Sequence, residues 1–240
     1  MSDLKPQMLV LAPHPDDGIL GAGGTMARFI KAGGEVTVLI VEAHMPPLFS
    51  NEIFHSSIQE VKEAHSMIGV KESIFLNKPA LSLRAIPAEK LNRVISDVLN
   101  RVSSDIFIVP YFDRHTDHRV VFESAMVVAR PFTQHARPSV VAAYETLSST
   151  HDSAFQIEPN FQPNWIVDIS LHIEAKVEML RCCTTQMREF PHPRSLEAVR
   201  ALAQFRGTQA GVHNGESFQI IRITAPPELL GRPNGQEEHS

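Results

Sequence analysis

The sequence predicts an α/β fold: a Rossmann-like, doubly wound, mostly parallel sheet with helices on both faces. Three observations carry this prediction. Short aliphatic runs recur between Met8 and Tyr144, stretches with apolar residues at helical spacing separate most of them, and Gly, Pro and Asp punctuate the joins. Strands covered on both faces read as near-continuous apolar runs, and their alternation with helices is the signature of a parallel sheet.

The elements follow in order. Met8 to Ala12 is the first strand, and the spacing of Met26, Phe29 and Ile30 predicts a helix over Gly24 to Ala32. Val36 to Val41 is the second strand. Ile53, Phe54, Ile58, Val61 and Ile68 then mark one face of a helix over Asn51 to Ile68. After a third strand, Ser73 to Leu76, comes a helix over Pro87 to Val102, with proline at the position where its missing N–H costs least. Ile106 to Val109 and Val140 to Tyr144 supply two more strands. From Phe161 the rhythm changes: "NWIVDIS", helical runs over His172 to Arg188 and Arg194 to Phe205, and a closing strand "SFQIIRI" are expected to complete one domain over residues 1–225. The Pro-, Gly- and Glu-rich stretch 226–240 reads as a flexible tail.

Composition narrows the function classes. With 240 residues, 43% of them hydrophobic, the chain can bury a substantial core. A net charge of −5 without a Lys/Arg block speaks against a nucleic-acid or anionic-membrane surface. No basic-then-apolar leader precedes the first strand, and no apolar run reaches the roughly 18 residues of a membrane span, so a cytoplasmic location is expected. Cys182 and Cys183 are adjacent, a spacing that suits neither a metal pair nor a staple across the fold, and read as reduced helix residues.

A doubly wound sheet binds ligands beyond the carboxyl ends of its strands, where the strand order reverses, and in the usual order the first and fourth strands flank that point. The first strand runs into "APHPDDGILGAGGT", with His14, Asp16 and Asp17; the fourth runs into "YFDRHTDHRVV", with Asp113, His115, Asp117 and His118. Each residue alone has an ordinary explanation as a turn or cap. Two such clusters at one crevice point instead to a metal. Two imidazoles and a carboxylate form a ligand set for catalytic Zn²⁺, which keeps a fourth position for water; Fe²⁺ and Co²⁺ accept the same donors. His14, Asp17 and His118 are assigned as these ligands. Asp16, whose side chain must point differently from its neighbour's, is the candidate general base. His115 precedes His118 by one helical turn, and in protonated form would stabilise an oxyanion and protonate the leaving nitrogen, with Asp117 raising its pKa.

The glycines do not make a dinucleotide loop, because Met26 stands where G-x-G-x-x-G needs its third glycine after Gly21 and Gly23. They are expected to let the first helix approach the sheet closely and to leave room over the metal. His44 after the second strand, Arg84 before a helix and His213 before the closing strand are candidate substrate contacts, each with an equally ordinary reading as a loop residue.

Taken together, "APHPDDGILGAGGT" and "RHTDHRVV" resemble the PIG-L/LmbE-like zinc-dependent N-deacetylases. "YETLSST", "FQPNWIVDIS", "KVEMLRCCTTQ" and "GESFQIIR" are similar to that family's more variable downstream blocks. The resemblance implies removal of an acetyl group from an N-acetylated amino sugar or sugar conjugate, such as an N-acetylglucosaminyl compound, with release of acetate. It implies zinc on His14, Asp17 and His118, a base at Asp16, and an electrophilic His115 with Asp117 behind it; it also admits trimers or hexamers. Gly18, where many members are acidic, and Cys183, where a His or aromatic residue is common, depart from the family pattern and bear on substrate choice. A hydrolase of another N-acyl natural product and a non-catalytic sugar-binding homologue are the alternatives. The retained Asp16 and His115 argue against the second.

Overall fold

The computed structural model describes residues 5–132, 137–154 and 156–224. The segment 226–240, expected as a flexible tail, lies outside the described residues. Seven strands form one sheet in the order β3-β2-β1-β4-β5-β7-β6. They are β1 (Gln7–Ala12), β2 (Glu35–Ala43), β3 (Glu72–Pro79), β4 (Ile106–Pro110), β5 (Val140–Tyr144), β6 (Trp165–Asp168) and β7 (Gly215–Ile223). β1 to β5 are mutually parallel, and β7 runs antiparallel between β5 and β6. The mostly parallel, doubly wound sheet read from the sequence is the observed one.

Successive residues of β1 feed opposite cores, as the two-residue period of a strand requires. Met8, Val10 and Ala12 pack with Ile19, Met26, Val61 and Leu180 on one face. Leu9 and Leu11 pack with Leu91, Ile95, Leu99 and Val121 on the other. Helices α1 (Asp17–Lys31), α2 (Asn51–Ile68), α5 (Ile173–Cys182) and α6 (Leu196–Thr208) cover the first face, while α3 (Ala88–Val102) and α4 (Thr116–Val128) cover the second. Among the described residues no helix is long and apolar enough to cross a membrane.

Three helix boundaries differ from the expectation in ways that shape the site. α1 starts at Asp17, seven residues before the predicted Gly24, because its glycines are contact points rather than breakers. A Cβ on Gly21 would stand 2.0 Å from the Tyr144 ring, and one on Gly24 would stand 2.8 Å from Ile169. The space they make is therefore for β5 and the β6–α5 connection. Second, α5 ends at Cys182 rather than Arg188. The Glu60 carboxylate on α2 captures the hydroxyl of Thr184 and both the N–H and hydroxyl of Thr185, which draws the chain out of the helical path. Third, α6 begins at Leu196, with Ser195 Oγ accepting the Ala198 N–H at 3.1 Å as its cap, so Arg194 stands just outside the helix.

Candidate metal and active site

The loops after β1 and β4, neighbours at the point where strand order reverses, bring their polar residues face to face. His14 leaves β1 in a tight turn: its N–H donates to Asp17 Oδ2 at 3.0 Å, and its Nδ1 lies 2.7 Å from the same oxygen. From the first turn of α4, His118 Nε2 lies 3.1 Å from Asp17 Oδ2 and 3.3 Å from His14 Nδ1. Three donor atoms thus form a triangle with edges of 2.7, 3.1 and 3.3 Å. Tetrahedral bonds of about 2.0–2.1 Å place ligand atoms roughly 3.3 Å apart, so this triangle matches one face of such a site.

The far sides of the two rings are also held. His118 Nδ1 lies 2.9 Å from Asp113 Oδ2, which also accepts the Thr150 hydroxyl at 3.1 Å. His14 Nε2 lies 3.5 Å from Asp117 Oδ2 and 3.8 Å from Glu42 Oε2. Around the same point, both carboxylate oxygens of Asp16 and of Glu42, and one each of Asp17 and Asp117, are buried without a hydrogen-bond partner among the described residues. Such a density of buried, unpaired carboxylate oxygen is costly unless a cation lies among them. The residues fit a divalent metal. His14, His115 and His118 also offer donor atoms within 4.8 Å of one another, which makes His115 a rival to Asp17 as the third ligand. The shorter triangle favours Asp17.

Electrostatics separate the groups. Burial raises Asp17, but His118 and His14 beside it hold its carboxyl well below the usual range. Against the desolvation of its ring, the charge and hydrogen bonds of Asp17 and Asp113 push His118 up to about 9, and Asp17 and Asp117 raise His14 well above the ordinary value. Carboxylates that favour a positive ring favour a cation in the same place. Asp16 is raised by burial, opposed by the charge of Arg194. Burial also pushes Glu42 up to about 8.

His115 departs from the expectation. Burial and the charges of His14 and His118 outweigh Asp117 and push it down to about 4, so the ring is neutral rather than protonated. Its Nδ1 accepts the Asp117 N–H at 3.2 Å at the start of α4, which leaves the proton on Nε2. The Asp117 carboxylate itself is not behind His115; Oδ2 accepts the N–H of Leu81 at 3.0 Å and faces His14.

The cleft over this cluster has a volume of about 300 Å³ and is lined by His14, Glu42, His44 and His115, by the apolar Leu48, Phe49 and Leu81, and by Gln186, Arg188 and Arg194. His44 is buried there with Nδ1 3.4 Å from Gln186 Nε2, as its strand-end position predicts. Arg84 and His213 do not line it. A short 3-10 turn, Leu83–Ala85, directs Arg84 into a separate surface hollow between α3 and α4, and His213 is exposed in the turn before β7. Sequence reasoning assigns no role to Glu42, Asp113, Gln186 or Arg194. Glu42 carries a signal, since a carboxylate ending an otherwise aliphatic strand at the crevice calls for a reason.

Residues 9–129 match the family model described as PIG-L, GlcNAc-PI de-N-acetylase. The chain belongs to the PIG-L family. The matched region contains both loops that build the cluster. Among the relatives of this PIG-L protein is the diacetylchitobiose deacetylase of Thermococcus kodakarensis, 23% identical over 233 residues that cover 92% of this chain and 84% of that one. Its fold resembles N,N'-diacetylchitobiose deacetylase from Pyrococcus horikoshii, with a TM-score of 0.70 and 24% identity over 93% of this chain and 88% of that one. It equally resembles GalB, a 4-carboxy-2-hydroxymuconate hydratase from Pseudomonas putida KT2440, with a TM-score of 0.72 and 18% identity over 92% of this chain and 99% of that one. The fold by itself therefore leaves the reaction to the residues of the site.

Proposed function

We infer that this PIG-L family protein is a metal-dependent N-deacetylase that hydrolyses the acetamido group of an N-acetylated amino sugar or sugar conjugate, releasing acetate and a free amine. One observation carries the reading: His14 and His118 each turn one ring nitrogen toward Asp17 and the other toward a buried carboxylate, Asp117 and Asp113 respectively. A carboxylate behind an imidazole orients the ring and strengthens it as a metal donor.

His14, Asp17 and His118 would hold the ion, and zinc, with iron(II) or cobalt(II) as substitutes, suits that donor set. When bound, such an ion makes a water acidic enough to ionise near neutral pH and polarises the acetyl carbonyl. The chain's own groups carry the protons. Asp16 accepts the proton of the attacking water as the new C–O bond forms. Neutral His115 donates its Nε2–H toward the carbonyl oxygen as negative charge builds there, a hydrogen bond that strengthens in the transition state. Asp16 then returns the proton to the nitrogen, the C–N bond breaks, and the amine leaves.

The test is acetate release from a panel of free N-acetyl sugars, disaccharides and glycosides with polar and apolar aglycones. Acetate is expected from at least one class, abolished by a chelator and restored by added zinc. No release from any metal-loaded preparation overturns the reading.

A further inference from the structure

Asp16 is fully buried, and neither of its oxygens has a hydrogen-bond partner among the described residues. Its one ion pair there is with Arg194, whose Nη1 lies 3.5 Å from Oδ2. Arg194 is in turn fixed from two sides: Nη1 donates to Gln186 Oε1 at 3.0 Å, and Nε donates to Ser148 Oγ at 3.1 Å. Gln186 follows Thr185, which Glu60 on α2 holds through its N–H at 3.1 Å and its hydroxyl at 2.6 Å. A chain of contacts therefore runs from a helix outside the cleft, through the turn after α5, to the carboxylate beside the metal ligands.

We propose that Arg194 is the positioning residue for Asp16, and that Glu60 latches the 184–194 turn so that the Arg194 guanidinium stands where it can do this. The proposal rests on Asp16 acting as the base. A carboxylate with no hydrogen bonds is free to rotate about its last torsion, and a base must aim a lone pair at the water it activates. Arg194 approaches Oδ2, and Oδ1 has no hydrogen-bond partner among the described residues. Arginine suits this position because its planar fork reaches Asp16, Gln186 and Ser148 together, and because it keeps its charge at any working pH.

The experiment uses metal-loaded protein and four variants: Arg194→Ala, Arg194→Lys, Glu60→Ala and Asp16→Asn. Arg194→Ala is expected to keep its metal and lose about 10²-fold in kcat with KM little changed, the scale of cost for a misplaced catalytic group. Lysine should recover little of this, and millimolar guanidinium should restore part of the Arg194→Ala rate where the same concentration of urea does not. Glu60→Ala should lose roughly 10-fold in kcat, again with full metal content. Independently of activity, a double-mutant cycle of Arg194→Ala with Asp16→Asn in thermal denaturation should be non-additive, since removing the buried charge removes the need for its partner. A rise in KM with kcat unchanged would make Arg194 a substrate contact and overturn the proposal, as would an additive cycle. Normal kcat in Glu60→Ala would overturn the latch. Asp16→Asn reports separately on the underlying reading: if it alone keeps full kcat, the base assignment fails, whereas if it is inactive while Arg194→Ala is normal, only the positioning role fails.

Discussion

Two aspartates stand side by side at 16 and 17, and the fold gives them opposite surroundings. Asp17 Oδ2 meets the N–H and ring of His14 and the ring of His118, while the Asp16 carboxylate has no hydrogen bond among the described residues and pairs there with Arg194. The neighbours should therefore fail differently. Asp17→Asn is expected to lose metal, since an amide oxygen is the poorer ligand. Asp16→Asn should keep metal and slow turnover by about 10²- to 10⁴-fold, the range for a lost general base. A capping role for Asp16 would predict a stability loss of about 1 kcal/mol instead, but its side chain makes no cap hydrogen bond. His115→Ala should likewise retain metal and lose kcat with a smaller change in KM; an empty site in that variant would place His115 among the ligands and falsify the division of roles. The paired clusters were legible in the sequence because residue type and strand-end position are local facts. Asp113, Gln186 and Arg194 were not, because their roles exist only in contacts between segments far apart in the chain. Arg84 and His213 show the converse: a short 3-10 turn and the turn into the antiparallel strand β7 leave these loop residues outside the cleft.

At the scale of elements, α1 shows how packing overrides propensity. Four glycines in a helical stretch, Gly18, Gly21, Gly23 and Gly24, argue for a later start, yet the helix runs through them, and at Gly21 and Gly24 a larger residue would collide with β5 and with Ile169. Gly21→Ala should cost about 1–3 kcal/mol through the Tyr144 ring. Gly18→Ala, whose nearest neighbour is 3.4 Å away on Val10, should be neutral or stabilising by up to about 1 kcal/mol. Melting temperatures of the two variants make the comparison. Strand positions and the bodies of α1, α2, α3, α5 and α6 were readable from apolar spacing, whereas the end of α5 was set by Glu60 from another helix. The contact of α2 with β3 carries a pH dependence. Burial pushes His65 down to about 4, its Nδ1 lies 2.7 Å from Ser73 Oγ, and its Nε2 has no hydrogen-bond partner among the described residues. The unfolded chain takes up this proton near pH 6.5 and the folded chain does not, so the stability is complete above about 6.5 and declines as pH falls toward 4, by about 3 kcal/mol at most. His65→Gln should flatten that slope by one proton relative to the parent; an unchanged slope would show that the ring titrates freely in the folded chain.

For the whole molecule, the strand order divides the sheet into two halves, β3-β2-β1 and β4-β5-β7-β6, which meet along a short seam. β1 pairs with β2 over its full length, but with β4 only over Met8, Leu9 and Val10. Beyond Val10 the halves diverge, and there the triangle of His14, Asp17 and His118 joins them, linking residues 104 positions apart. An ion held in that triangle would rivet the seam as well as serve the proposed chemistry. Each tenfold rise in free metal above the dissociation constant should add about 1.4 kcal/mol to stability in the parent protein and nothing in His118→Ala, read as melting temperature. Chelation should also quicken amide hydrogen exchange first at the carboxyl ends of β1 and β4, while the amides of the β1–β2 ladder stay slow. The crevice that admits substrate would then be the line along which the fold opens when its fastener is withdrawn.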